Sequence, residues 1–351
     1  MNFASDNTAG IAPEILQALA GANAGFALGY GNDDLTRRVE RQVADLFGHA
    51  AAVFLVPTGT VANALALAQI TPPWGGVICH AQSHIMTDEC GAPEFYGGGL
   101  KLIGLPGDDG KLAPAAVAAA AERYRGHRPH QVNAASLSLT QASEAGTIYR
   151  PHEIAELARI AHAHGLKVHM DGARFGNALA RLDAGPAELT WKAGIDVLSF
   201  GATKGGAMAA EAVVFFDPAI ADAMHERRKR GGHLLSKHRF LAAQFEAFLR
   251  EGLWLRLARH ANAMADRLAE VLKAAGLPPV WPVEANLVFA LLPEAVDARL
   301  KAAGAAYYVR EPDRLPAGLA AAPTDRLARF VTSFATGEDE IARVAELLQK
   351  R

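Results

Sequence analysis

From about residue 50 to residue 220 the chain repeats one pattern, a short β-branched or apolar run followed by a longer Ala/Leu-rich segment. No other feature narrows the fold as much, because strands that alternate with helices pair in parallel through crossovers and build a layered α/β sheet. The spacing predicts strands over residues 52–56, 76–79, 101–105, 135–139, 166–170, 196–200 and 212–216. Helices are predicted between them, among others over 60–70, 114–123 and 151–164. In the last of these Ile154, Leu157, Ala158 and Ala161 share one face, Pro151 opens the helix and Gly165 stands just past its end.

Beyond about residue 236 the texture changes to long Arg/Ala/Leu helices over 237–250 and 253–275, stopped by Gly276-Leu277-Pro278-Pro279. Strands over 285–291 and 328–333 then alternate with helices over 294–303 and 338–349. The expectation is a large domain over 1–250, built on a mostly parallel seven-stranded sheet sandwiched by helices, and a smaller α+β domain over 251–351. A length of 351 residues suits two domains of roughly 150 each.

Composition removes several function classes. A net charge of −2 with 21% charged residues offers no basic surface for neutralising nucleic-acid phosphates. The longest uncharged stretch, residues 50–79, is broken by Pro57, Gly59, Asn63, Gln69 and Pro72-Pro73, so it reads as strand, turn, helix, turn, strand and not as a membrane span. Residues 1–10 contain no Lys or Arg and no apolar core, which argues against a secretory signal. Two cysteines, Cys79 and Cys90, are too few for a disulfide framework, and a cytoplasmic location is expected.

Three places put an unusual polar residue at a predicted strand end, where open α/β sheets bind ligands. Thr58-Gly59-Thr60 opens a helix, so its backbone N–H groups and hydroxyls can hold a phosphate, although a plain N-cap is an equal reading of the triplet. Asp171 ends a buried strand and needs a partner, with Arg174 three residues on as a structural candidate. Lys204 stands where an apolar strand meets Gly205-Gly206, a setting that disfavours its ammonium form and makes it nucleophilic, although most lysines are simply solvated. Together they are a phosphate cradle, a carboxylate and an amine, the three grips that pyridoxal 5′-phosphate requires.

The chain resembles the low-specificity L-threonine aldolases, fold-type I pyridoxal-phosphate enzymes, over nearly its whole length. The resemblance rests on Phe3-Ala4-Ser5-Asp6-Asn7, Tyr30-Gly31-Asn32-Asp33 and Pro57-Thr58-Gly59-Thr60-Val61-Ala62-Asn63. It continues through His84-Ile85-Met86-Thr87-Asp88-Glu89, His169-Met170-Asp171-Gly172-Ala173-Arg174, Ser199-Phe200-Gly201-Ala202-Thr203-Lys204 and Arg329-Phe330-Val331-Thr332. It implies an aspartate-aminotransferase-like fold and cleavage of L-threonine, L-allo-threonine and related β-hydroxy-α-amino acids to glycine and an aldehyde. Lys204 would form the Schiff base, Asp171 would pair with the ring nitrogen, and Gly59, Thr60 and Thr203 would hold the cofactor. His84 would stack on the ring, and Ser5, Arg174 and Arg329 would receive the substrate carboxylate. Tyr30 would reach a neighbouring subunit's site, which implies a homodimer or homotetramer.

Two departures stand out. Where many members carry a second histidine the chain reads Thr140-Gln141-Ala142-Ser143-Glu144, so His84, Ser143, Glu144 or water is the candidate base. Where a partner arginine is expected the chain reads Gly231-Gly232-His233-Leu234-Leu235-Ser236-Lys237, leaving Lys237, Arg228 or Arg230 as the phosphate's cation. A β-eliminating lyase or racemase fits the same cofactor residues, because these do not decide which bond to Cα breaks. A non-catalytic regulatory pyridoxal-phosphate binder is a further reading, and the two carboxylate-binding arginines speak against it. A metal-dependent hydrolase built on His80, His84 and Asp88 is a more distant alternative, since the His-Glu-x-x-His pattern is missing.

Overall fold

The computed structural model describes residues 1–126, 129–311, 315–316 and 318–349. Its main sheet contains β1 (Ala52–Val56), β2 (Gly75–His80), β3 (Lys101–Leu105), β4 (Asn133–Thr140), β5 (Lys167–Gly172), β6 (Val197–Gly201) and β7 (Glu211–Phe215), in the order β1-β7-β6-β5-β4-β2-β3. β7 runs antiparallel to both β1 and β6, and the other pairs are parallel. Every strand predicted in this region is present, with ends shifted by no more than two residues. β2 and β7 are buried at every position, because the sheet is covered on both faces, and this is why their sequences are largely apolar.

The covering helices show the matching periodicity. In Asp34–Phe47 the buried positions are Thr36, Val39, Val43 and Phe47; Asp33 caps the helix by accepting the Thr36 N–H at 2.8 Å, and Gly48 ends it in the left-handed region at φ 60°. Gly59–Ile70 is buried from Val61 to Ala68 because it lies under other elements on all sides, hence its near-absence of polar residues. On one side of the sheet the helices Asp34–Phe47, Phe175–Leu182, Arg239–Leu249 and Leu253–Ala274 meet around Phe200, which touches Phe245 and Trp254 at ring-centroid distances of 5.8 and 5.4 Å.

A second sheet holds β8 (Leu287–Leu292), β9 (Tyr308–Arg310) and β10 (Arg326–Val331) in the antiparallel order β8-β10-β9. β9 was not predicted: it is three exposed residues with no apolar alternation to mark it. The N-terminal segment joins this sheet, since the Phe3 N–H donates to Ala306 O at 2.7 Å and the Val331 N–H to Phe3 O at 2.8 Å. Phe3 packs against Phe330 with 6.0 Å between rings.

Below the carboxyl edge of the main sheet, a polar rung crosses three strands. The ring of His169 on β5 bonds Ser138 Oγ on β4 at 2.9 Å and Ser199 Oγ on β6 at 3.0 Å. Burial pushes His169 down to about 4, so it is a neutral spacer two residues before Asp171.

Candidate active site

Parallel pairing sends the carboxyl ends of β1, β2, β4, β5 and β6 to one edge, and a cleft of about 310 Å³ opens there. It is lined by Gly59, Thr60, His84, Asp171, Arg174, Thr203 and Lys204, seven of the residues singled out in the sequence. Thr58 caps the helix that begins at Gly59, its Oγ1 accepting the Val61 N–H at 3.3 Å. The N-cap reading of the triplet is therefore true of Thr58, while Gly59 and Thr60 present the helix's first N–H groups to the cleft. A Cβ added at Gly59 would meet no protein atom within 4 Å, so a side chain there would project into open space that glycine leaves clear.

Asp171 is 4% exposed and fully bonded: Oδ2 accepts from Asn63 Nδ2 at 2.9 Å and Oδ1 from the Ala173 N–H at 3.0 Å. Asn63 bridges further, donating to Glu89 Oε1 at 2.8 Å, and the same oxygen lies 2.8 Å from His84 Nδ1. Four side chains thus form one chain, Asp171–Asn63–Glu89–His84. Burial pushes the Glu89 carboxyl up, and the hydrogen bond to Glu89 raises His84; with Nδ1 on Glu89, the opposite edge of the imidazole, Nε2, is left for the cleft. The sequence gives Asn63 no role and places Glu89 only among the acids near the candidate metal site of His80, His84 and Asp88. The available signals were position i+4 from Gly59 on a helix, and a carboxylate five residues past a candidate histidine.

Arg174 does not pair with Asp171. Its Nε and one Nη donate to the two oxygens of Asp6 at 2.8 and 2.9 Å, a fork closed over 168 residues of chain, and both side chains are buried. Burial pushes Asp6 up, but Arg174 and then Lys204 outweigh it and hold the carboxyl below its ordinary range. Asn286 Nδ2 adds a third bond to Asp6 at 3.1 Å. Ser5 caps the short turn Asp6–Thr8 and contacts Asp6, so it borders the site through that residue.

Arg329 opens into an adjoining cleft of about 390 Å³ that meets the first at Glu144. Burial, with Arg174 nearby, lowers its guanidinium to about 10, and no hydrogen bond or ion pair among the described residues satisfies that side chain. Lys204 likewise has no hydrogen bond or ion pair within the described residues, and it sits in the turn Thr203–Gly205 directly after β6.

The remaining candidates divide. Ser143 is buried, bonded to Thr147 Oγ1 at 2.8 Å, and lines neither cleft, whereas Glu144 lines both. Arg228 turns inward, donating to Leu55 O at 3.2 Å with its guanidinium over the Phe54 ring, so it is not an outward-reaching cation. Tyr30 and Lys237 are exposed and lie outside this chain's own cleft; the Tyr30 N–H donates to Ser236 O at 3.0 Å, which holds the two segments together. His80 uses both ring nitrogens, bonding Gly107 O and accepting the Gln82 N–H, and among the described residues no three His, Cys, Asp or Glu side chains converge as metal ligands. No helix among the described residues is long and apolar enough to cross a membrane.

A mostly parallel sheet with a cleft at its carboxyl edge, flanked by a small antiparallel sheet, is the α/β fold of the fold-type I enzymes. The chain belongs to the β-eliminating lyase family, whose family model matches residues 2–295, and within it to the low-specificity L-threonine aldolases. It is 45% identical over 308 residues to the low specificity L-threonine aldolase of Pseudomonas aeruginosa, covering 87% of this chain and 88% of that one. Against the corresponding protein of a Pseudomonas species the identity is 43% over the same shares. The solved structure of Leishmania major threonine aldolase superposes with a TM-score of 0.92 at 30% identity, covering 99% of this chain and 98% of that one. Sphingomonas wittichii serine palmitoyltransferase, at 15% identity and a TM-score of 0.75 over 99% of this chain and 86% of that one, shares the fold.

Proposed function

We propose that this chain is a pyridoxal-phosphate-dependent aldolase that reversibly cleaves L-threonine, L-allo-threonine and related β-hydroxy-α-amino acids to glycine and an aldehyde. The observation that carries the reading is a single cleft holding a helix N-terminus, the buried Asp171 carboxylate and Lys204, whose amine has no partner among the described residues. The donor set fits the cofactor: N–H groups at Gly59 and Thr60 suit a phosphate, Asp171 suits a ring N–H, and Lys204 suits an aldehyde. The clear space at Gly59 is where a phosphate would need room.

When bound, pyridoxal phosphate supplies an electron sink for the pair released as the Cα–Cβ bond breaks. Asp171, with both oxygens fixed by Asn63 and Ala173, would keep a proton on the ring nitrogen. His84 would lie against the ring, with Nε2 taking the β-hydroxyl proton while Glu89 holds Nδ1–H. Arg329 and the free Nη1 of Arg174 would bind the substrate carboxylate, Asp6 fixing the plane of the Arg174 fork. Thr203 positions Lys204, its Oγ1 accepting the Ala210 N–H at 3.1 Å. Tyr30 and Lys237, exposed and away from their own cleft, would complete the site of a second copy, which makes the enzyme a homodimer or homotetramer. The free thiols Cys79 and Cys90 suit a cytoplasmic enzyme.

The test is a visible absorption spectrum of the purified protein and its Lys204→Ala variant with pyridoxal phosphate, before and after L-threonine, with glycine and acetaldehyde quantified. A band that depends on Lys204, with equimolar glycine and acetaldehyde, is the expected result. Keto acid with ammonia would point to β-elimination, and the D-enantiomer to racemisation. Absence of any Lys204-dependent band would overturn the reading.

A further inference from the structure

The cleft contains one carboxyl that the proposed reaction leaves without a task. Glu211 begins β7, the antiparallel strand, and stands opposite Gly201 of β6, so the segment carrying Lys204 is the connection that returns to it. Its side chain is 6% exposed and lines the same cleft as Lys204. Oε2 accepts the Ala202 N–H at 3.1 Å. Glu211 therefore grips the segment two residues before Lys204, where Thr203 is held in turn by Ala210.

Three other acids of the site are held by hydrogen bonds elsewhere. Asp171 is held by Asn63 and Ala173, Glu89 by His84 and Asn63, and Asp6 by Arg174 and Asn286. Glu144 stands toward Arg174 and Arg329. Glu211, like Asp171, binds only neutral donors, and the cation that acts on it electrostatically is Lys204, with Asp171 opposing from β5. No ion pair within the described residues satisfies Glu211 or Lys204, and both side chains line the one cleft.

We propose that Glu211 is a positioning residue for Lys204, which clamps the lysine's turn and stores the proton that Lys204 must shed before its nitrogen can attack a carbonyl carbon. The proposal rests on Lys204 being the aldehyde-binding lysine. The balance is simple: one proton passes from the Lys204 ammonium to the Glu211 carboxylate, and the free amine bonds the carbonyl carbon as its oxygen leaves as water carrying the two remaining amine protons. When an incoming substrate amine takes nitrogen's place on carbon, passing its two protons to the Lys204 nitrogen, the stored proton returns to it. Burial pushes the Glu211 carboxyl up to about 7, where both of its protonation states are populated near neutral pH. A carboxyl kept only as a clamp could be an amide, because Gln offers the same acceptor to Ala202.

Carbon-13 NMR of glutamate-labelled, cofactor-free full-length protein tests the coupling directly. One carboxyl titrating at about pH 7 and missing from Glu211→Gln identifies Glu211. In Lys204→Met, loss of the nearby positive charge should move that titration to higher pH. With pyridoxal phosphate and threonine, Glu211→Gln should lower kcat at least about tenfold, as loss of a proton-transfer partner does, with KM and the unfolding midpoint unchanged. A Glu211 titration that ignores Lys204→Met, or a Glu211→Gln variant with parental kcat, overturns the proposal and leaves a clamp. Because the titration is read without cofactor, it stands even if no Lys204-dependent absorption band forms, the result that would sink the proposed function instead.

Discussion

Asp6→Asn should unfold far more easily than its single-atom change suggests. Asp6 and Arg174 form a two-bond fork at 2.8 and 2.9 Å, with side chains 1% and 7% exposed, and Asn286 donates to the same carboxylate. An amide keeps one acceptor but turns an NH2 toward a guanidinium that has no water to fall back on. Breaking such a pair from one side costs about 3–5 kcal/mol, and the retained acceptor places this case near about 3. With a urea slope of about 3 kcal/mol/M for a chain above small-domain size, the midpoint should fall by about 1 M. The pH dependence has a definite sign. Asp6 is held below its ordinary 3.8, so its contribution is complete above pH 3.8 and disappears as pH falls through the lower folded value. The gap between parent and variant should therefore be full at neutral pH and close only in strong acid. Urea unfolding followed by tryptophan fluorescence measures it, and a midpoint shift under about 0.2 M at pH 7 would refute the account of this pair.

Glu89→Gln should move the acid limb of the activity profile to lower pH, because the hydrogen bond that raises His84 above 6.5 is weakened and less acid is needed to keep the imidazole neutral; kcat should also fall about 100-fold as ring orientation is lost. An unmoved limb in a pH–rate series would count against His84 as the base. Gly201→Ala should cost about 1–3 kcal/mol in urea unfolding, since its Cβ would lie 2.8 Å from the backbone of Ala173 at the point where β6 delivers Lys204. Mixing inactive Lys237→Ala with inactive Lys204→Ala should restore measurable aldolase activity if Lys237 serves a partner's cleft, because hybrids then contain one undamaged site; silence in the mixture would return Lys237 to the solvated surface.

The sheet was legible because burial on both faces writes itself into composition. A strand such as Ala52–Val56 must be a continuous apolar run, and a helix such as Pro151–Ala163 must carry a stripe at helical spacing. The polar residues at strand ends, Asp171 and Lys204 above all, were legible for the complementary reason, that an apolar run leading into a charged residue needs a physical purpose. Sequence order alone therefore determined an α/β fold, the carboxyl edge where ligands would lie, and the short set of groups found along it.

Pairings between distant residues were decided only in three dimensions. Arg174 is three residues from Asp171 in the chain, yet it binds Asp6, because the turn after β5 aims the guanidinium at the N-terminal segment that the second sheet draws in. Ser143 looked like a reactive hydroxyl and is spent on Thr147, while Asn63 and Glu89 looked ordinary and join Asp171 to His84. Local spacing fixes which element a residue occupies and which face it takes. Which partner satisfies a buried charge depends on the packing of segments far apart in sequence, and no local pattern encodes that choice.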